Sequence, residues 1–164
     1  MNRLGIGLVA AVAALMVLSG TVAVSAKTHH KAHHPTTLTV KRAGKAFLAD
    51  VAPLNAKITV FGAAATAWTS NTTDAQAEAA AAPVVAALTK FNSKMETTKW
   101  PSAAKQDVHS LVLAVSPLEA GLQNLATLNF LDVETWLQSF TTATDGVATA
   151  DGLVRSDLHL PPAS

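Results

Sequence analysis

Four histidines near the start of the chain form its densest group of potential metal ligands. His29 and His30 are one adjacent pair, and His33 and His34 are a second pair two residues further on. Neutral imidazole binds Cu(II), Zn(II) or Ni(II), and its affinity rises with pH as competing protons leave. The four histidines are therefore a candidate site for copper or zinc. We favour the alternative, in which they belong to a solvated linker without organised coordination geometry and hold no cofactor.

The rest of the chain lacks the residue patterns of common catalytic and cofactor sites. It contains no Cys, which excludes thiol nucleophiles, Cys-ligated zinc and iron–sulfur clusters. No Gly-x-Ser-x-Gly or His-Glu-x-x-His pattern occurs, and no Glu is followed by His three residues later, as di-iron bundles require. His109 and Ser110 are neighbours on a predicted helix, where side chains diverge by about 100°. We therefore expect no enzymatic activity, no catalytic residue and no other bound cofactor.

Residues 1–26 have the pattern of a secretory signal peptide. A basic residue precedes an apolar run over residues 4–18, and small residues occupy positions 24–26. This pattern predicts export by the general secretory route with cleavage after Ala26; the alternative is an uncleaved anchor helix. Thr21 stands where a lipoprotein box requires Cys, so we do not expect a lipid anchor. After cleavage, no stable membrane span is predicted.

The segment that follows the signal is polar and basic. Residues 27–37 read KTHHKAHHPTT and lack helical periodicity, which predicts a flexible His/Lys-rich arm. Five basic residues lie between the predicted cleavage site and the first acid, Asp50, so residues 27–49 carry a charge of +5 and the rest of the mature chain −5. The asymmetry favours an anionic cell-wall component or another protein as partner, whereas a net charge near zero does not favour nucleic acid. The five residues are Lys27, Lys31, Lys41, Arg42 and Lys45.

The remaining sequence has the period of amphipathic α-helices. Apolar residues recur at alternating steps of three and four, which predicts four helices over about 38–69, 74–97, 101–127 and 132–156. Short connections make consecutive helices antiparallel neighbours, so we predict an all-α, up-down-up-down antiparallel four-helix bundle over residues 38–164. The predicted core consists of Phe47, Val51, Leu54, Ile58, Phe61, Val84, Leu88, Phe91, Leu111, Val115, Leu118, Leu122, Phe140 and Val147.

Polar residues and prolines predict where these helices begin and bend. Thr73 and Gln76 fit a capping box at the start of the second helix. Ser116 and Glu119 fit another around Pro117, which favours a break over a kink at this position of the third helix, while the sequence leaves both open. Each proline follows an inward position by two residues and therefore faces outward, where it is expected to kink its helix. The three prolines inside apolar series are Pro53, Pro83 and Pro117.

Antiparallel topology assigns the aromatic residues to the two ends of the bundle. Trp68, Phe130 and Trp136 fall at one end. Aromatic side chains at such an end commonly plug the core where helices splay. Alternatively, these three form an exposed docking patch for a partner. The opposite end receives Phe47, Phe91 and Trp100.

Several segments resemble a group of known sequences. Together with the export signal and the alanine-rich body, they are similar to uncharacterised exported proteins of high-GC Gram-positive bacteria, a resemblance that implies no known activity. We hypothesise a secreted or envelope-associated interaction or structural protein. The alternative is a helical-bundle binding protein for a small apolar ligand or a transition-metal ion. The segments are Val51–Asn55, Ala67–Trp68 and Leu158–Pro162.

Overall fold

Four long α-helices make up most of the described structure. The computed structural model describes residues 37–68, 72–127 and 133–163. Consecutive helices pack against each other, which confirms the all-α four-helix bundle. The predicted signal peptide, and all of the predicted arm except Thr37, lie outside the described residues. The elements are α1 Val40–Thr66, α2 Asp74–Thr97, α3 Ser102–Gln123, a 3-10 turn over Asn124–Thr127, and α4 Val133–Asp157.

Side-chain caps fix the starts of the first two helices. The predicted capping box of α2 is confirmed: the Thr73 N–H donates to Oε1 of Gln76 over 2.9 Å, and the Gln76 N–H donates to Oγ1 of Thr73 over 3.3 Å. At the start of α1, the Arg42 N–H donates to Oγ1 of Thr39 over 3.4 Å. Each cap satisfies a donor that the first helical turn leaves without a partner.

The three helical prolines are exposed and leave their helices continuous. Pro53 lies within α1, Pro83 within α2 and Pro117 within α3. The predicted break at Pro117 is wrong, because α3 continues to Gln123. The side chain that was expected to cap a new helix there, Glu119, instead accepts a hydrogen bond from Oγ1 of Thr89 on α2 over 2.5 Å. Burial of Leu118 and Leu122 beyond the proline keeps this turn of the helix against the core.

All fourteen predicted core residues are buried. The inward stripes of the four helices form one continuous cluster, which also takes in Met95, Trp100 and Leu158. Small alanines such as Ala43, Ala65 and Ala104 lie within it. The bundle interior is therefore filled by side chains along the length of all four helices.

The end of the bundle at which α1 begins is called the arm pole here, because the N-terminal arm enters there. The Leu38 N–H donates to the carbonyl oxygen of Lys99 over 2.9 Å, which joins the start of α1 to the α2–α3 connection. The Phe47 ring of α1 makes edge-on contacts with Phe91 and Trp100, each at a centroid distance of 6.4 Å. These contacts confirm the predicted aromatic group and show that α1 and α2 are antiparallel. The opposite end is called the far pole.

Candidate interaction surface at the arm pole

An open groove of about 800 Å³ lies at the arm pole. The α2–α3 connection forms one side of it, and the first turns of α3 form the other. Thr37, the first described residue, is exposed and lines the same groove, so the chain enters the bundle beside it. The floor is apolar and the rim is polar. The lining includes Met95, Trp100, Val108 and Val112 on the floor, and Glu96, Thr97, Lys99, Ser102, Lys105 and His109 on the rim.

Most exposed basic side chains of the described bundle lie in the half that contains the arm pole; Lys99 and Lys105 line this groove, and Lys41 and Lys45 line a second one nearby. The starts of α1 and α3, the end of α2 and the α2–α3 connection all contribute, although they are far apart in sequence. Away from the arm pole, Lys57 is the only exposed Lys or Arg of the described bundle, and the exposed acids Asp74, Glu78 and Asp145 lie there, whereas the arm pole carries one exposed acid among the described residues, Glu96. The bundle is thus electrostatically polarised along its axis. The arm-pole cations are Lys41, Arg42, Lys45, Lys90, Lys94, Lys99 and Lys105.

Three partly buried carboxyl groups lie in the same half of the molecule. Burial raises the pKa of Asp50, although the nearby charges of Lys94 and Lys90 oppose this shift. Burial also raises the pKa of Asp157, and a hydrogen bond with the Asp107 carboxyl together with its negative charge raises that pKa further. The Lys and Arg side chains are more exposed than these acids, so the surface presented to a partner at this pole is mainly cationic.

The end of α4 and the C-terminal segment pack against α1 beneath the arm pole. The Arg155 guanidinium lies 5.9 Å from the centre of the Phe47 ring and donates from one NH₂ group to the carbonyl oxygen of Pro161 over 3.2 Å. Leu158 is buried, and Leu160 packs close to Gly44 of α1. The C-terminal segment therefore closes the core at this pole. Arg155 is charged and lies beside Val154 on the helical stripe, so the local pattern does not indicate that it is buried.

At the far pole, the structure buries one of the two predicted interface tryptophans. Trp136 is only 8% exposed, stacks on Phe140 at 4.8 Å between ring centres, and donates from Nε1 to the carbonyl oxygen of Gly121 over 2.8 Å. Trp68 is half-buried and packs edge-on against Phe61 at 5.8 Å. The placement of Trp136 fits a core plug better than a docking patch that needs both indoles exposed.

The other predicted site residues are distributed as follows. Phe130 and the cluster of His29, His30, His33 and His34 lie outside the described residues. His109 is exposed on α3. Among the residues that the structure describes, no group of three or more His, Asp and Glu is arranged to hold a metal ion. The candidate metal site at the histidine cluster stays a prediction.

Comparisons with protein-family models, with curated proteins and with solved structures gave no match to this chain. None of the helices in the described ranges is both long and apolar enough to cross a membrane.

Proposed function

We propose that this chain is a non-catalytic, exported interaction protein of the bacterial cell envelope, and that its arm pole binds an anionic wall polymer. The observation that carries the proposal is the excess of exposed Lys and Arg side chains in the arm-pole half of the bundle, where Lys99 and Lys105 line one groove and Lys41 and Lys45 line another. Export itself is inferred from the signal pattern of residues 1–26.

The arm extends the charge of this surface. Lys27 and Lys31 precede Thr37 by no more than ten residues, which is a contour length of about 35 Å. The chain length therefore tethers both charges within about 35 Å of Thr37. A repeating anion such as a phosphate-bearing polymer can contact several of these cations at once, which favours it over a single small anion.

Charge attraction of this kind has a defined dependence on salt. Exposed charges more than about 8 Å apart are largely screened at physiological ionic strength, so binding should weaken steeply as salt is added. The mature protein should co-sediment with purified cell walls at low ionic strength and be released at high ionic strength. Binding that is independent of salt, or no binding, would contradict the proposal.

Two charge-matched variants distinguish binding at the arm pole from attraction by the net charge of the protein. Lys99→Gln and Lys57→Gln each remove one exposed positive charge, but Lys99 lies on the groove rim and Lys57 lies away from the arm pole. We expect Lys99→Gln to weaken wall binding and Lys57→Gln to leave it nearly unchanged. Equal losses in both variants would mean that only net charge matters. Vesicles of anionic lipid, tested in parallel, show whether lipid head groups replace the wall polymer as the partner.

The groove itself favours a second candidate function. Its apolar floor and a volume of about 800 Å³ are in the range of small-molecule sites, which fits a binding protein for a small ligand with an apolar part. Native mass spectrometry of the protein purified from its own host would decide between the two. A retained ligand mass that is lost after Val112→Trp, which adds bulk to the groove floor, supports the second function.

A further inference from the structure

We propose that a second groove at the arm pole binds a long-chain carboxylate, with the alkyl chain on its apolar floor and the carboxylate at a rim formed by Lys41 and Lys45. The groove has a volume of about 450 Å³ and lies between the first turns of α1 and the C-terminal segment. It shares no lining residue with the groove beside Lys99. The site is therefore a separate one, and its ligand belongs to a different class from a wall polymer.

The floor of this second groove is an elongated apolar track. Val40, Gly44 and Leu48 recur every four residues, so they lie along one face of α1. This face extends over about 12 Å, because each residue advances an α-helix by about 1.5 Å. Leu158 and Leu160 of the C-terminal segment line the other side. A track that is narrow, straight and apolar suits an extended alkyl chain.

Much of this apolar lining is only half-buried. Val40, Leu48 and Leu160 are all partly exposed, whereas the inward residues Phe47 and Val51 of the same helix are closed off from solvent. An alkyl chain laid on the track would remove apolar surface from water on both the protein and the ligand. That removal is the main favourable contribution to binding of an apolar group.

The rim of the groove is cationic. Lys41 and Lys45 are exposed, lie one turn apart on α1, and each follows a floor residue by one position. The exposed His159 lines the groove from the C-terminal segment, and none of the described lining residues is acidic. Because α1 begins at Val40, the partial positive charge of the helix N-terminus adds to that of the lysines. The rim therefore favours an anionic head group over a neutral or cationic one.

The combination of one apolar track and one cationic rim identifies a single-chain ligand. A polymer of repeating anions would contact the lysines but would not cover Leu48 and the rest of the floor. A lipid with two acyl chains would leave its second chain in water. A long-chain carboxylate has one chain for the track and one negative charge for the rim, so it satisfies both features.

Isothermal titration calorimetry with dodecanoate, below its micelle concentration, tests the site on the full protein purified from its host. Dodecanoate should bind with one molecule per chain. Acetate has the same head group without the chain, and dodecyltrimethylammonium has the same chain with a cationic head. Neither should bind over the same concentration range. Absence of dodecanoate binding, or equal binding of dodecyltrimethylammonium, would overturn the proposal.

Two pairs of variants locate the ligand in the groove. Leu48→Gln should weaken dodecanoate binding by roughly tenfold, because a leucine contact is lost from the track. Val85→Gln changes a half-buried residue of α2 that lines neither groove and should leave binding nearly unchanged. Lys45→Gln should weaken binding by about twofold to fivefold, as for an exposed ion pair, whereas Lys57→Gln on the same helix should not. Thermal unfolding establishes that each variant is folded, and unchanged binding in folded Leu48→Gln would contradict the proposed site.

Leu48→Gln also separates this site from the proposed wall binding, since it changes no charge. Its co-sedimentation with cell walls should match that of the unmodified protein. Wall binding without dodecanoate binding would contradict only the carboxylate site, and dodecanoate binding without wall binding would contradict only the proposed function. A dimer that dissociates in Leu48→Gln would assign the track to a second copy of the chain and would overturn the inference.

Discussion

Nε of Arg155 donates to Oδ2 of Asp151 over 2.6 Å, one turn earlier on α4, and each of the two residues is only 1% exposed. The pair lies inside the bundle near the Phe47 ring, so two opposite charges are enclosed among apolar side chains. Burial raises the pKa of Asp151, and the hydrogen bond and positive charge of Arg155 counteract the shift. Each charge therefore depends on the other to remain in the core.

Removing one member of this pair should destabilise the protein strongly. Asp151→Ala leaves the Arg155 guanidinium buried without its carboxylate, and we expect a loss of about 3–5 kcal/mol in the free energy of unfolding. The double variant Asp151→Leu with Arg155→Met removes both buried charges and should lose less than Asp151→Ala. Urea unfolding measures all three values. Asp145→Ala, an exposed change on the same helix, is the control and should stay within about 0.5 kcal/mol. A loss in the double variant as large as that of Asp151→Ala, or larger, would contradict the interdependence of the pair.

A glycine at the start of α1 allows the C-terminal segment to pack closely. A Cβ atom on Gly44 would lie 3.1 Å from Cδ2 of Leu160 and 3.4 Å from the carbonyl oxygen of Leu158. Gly44→Leu should displace this segment and cost about 1–3 kcal/mol. Hydrogen exchange should then show reduced protection of the Leu160 N–H, which donates to the carbonyl oxygen of Arg155 over 2.9 Å.

The matched control for that substitution is a glycine without close neighbours. A Cβ atom on Gly152 meets nothing within 4 Å, and the residue is exposed within α4. Gly152→Leu should stabilise the helix by roughly 0.5–1 kcal/mol, because leucine has the higher helix propensity. If both leucine variants gained stability, close packing at Gly44 would not be a constraint.

Replacing His159 by glycine should stabilise the protein, because the backbone of His159 has a φ of 54°, in the left-handed region that favours glycine. It ends α4 in a Schellman motif: the His159 N–H donates to the carbonyl oxygen of Ser156, and the Leu160 N–H donates to that of Arg155. We expect His159→Gly to raise the free energy of unfolding by about 1 kcal/mol. His109→Gly, at an exposed position inside α3, should lower it, by less than about 1 kcal/mol. Thermal unfolding of the two variants tests this opposite pair of signs.

The contribution of Asp157 to stability should depend on pH. Burial and the neighbouring Asp107 carboxyl raise its pKa, while the charge of His159 lowers it in part. A raised carboxyl pKa means that folding favours the protonated form, so the contribution is fully present below the ordinary aspartate range and is lost as the pH rises through the raised value. Asp157→Asn cannot ionise, and it should therefore be more stable than the unmodified protein at pH 7 but not at pH 3. Urea unfolding at both pH values measures the difference, and an equal difference at the two would contradict it.

The periodic stripes determined the helices and their inward faces. Leu54, Leu88 and Leu118 repeat at helical spacing, and all three are buried as predicted. Local chemistry was equally readable at Thr73 and Gln76, since a capping box involves residues only three apart. At Pro117 the same local reasoning predicted a break, but packing of the following turns against the core outweighed the missing backbone donor.

The buried ion pair and the left-handed residue were not readable from the local pattern. Asp151 and Arg155 look like exposed residues of a polar helix face, and only the approach of Phe47 and the C-terminal segment encloses them. His159 adopts a positive φ without being glycine, because Leu160 must turn back toward Gly44. Such features depend on contacts between residues more than a hundred positions apart, which a local pattern does not record.

The basic residues of the candidate surface also fall into two groups, those that the sequence places together and those that only packing places together. The positive charge of the arm and of the start of α1 can be read along the chain, because Lys41 and Lys45 follow the arm directly. The position of Lys99 and Lys105 at the same pole depends on the packing of the helices, since antiparallel packing places the α2–α3 connection beside the start of α1. The sequence gives the charge of each segment. The electrostatic potential at the surface depends in addition on which helix ends pack side by side.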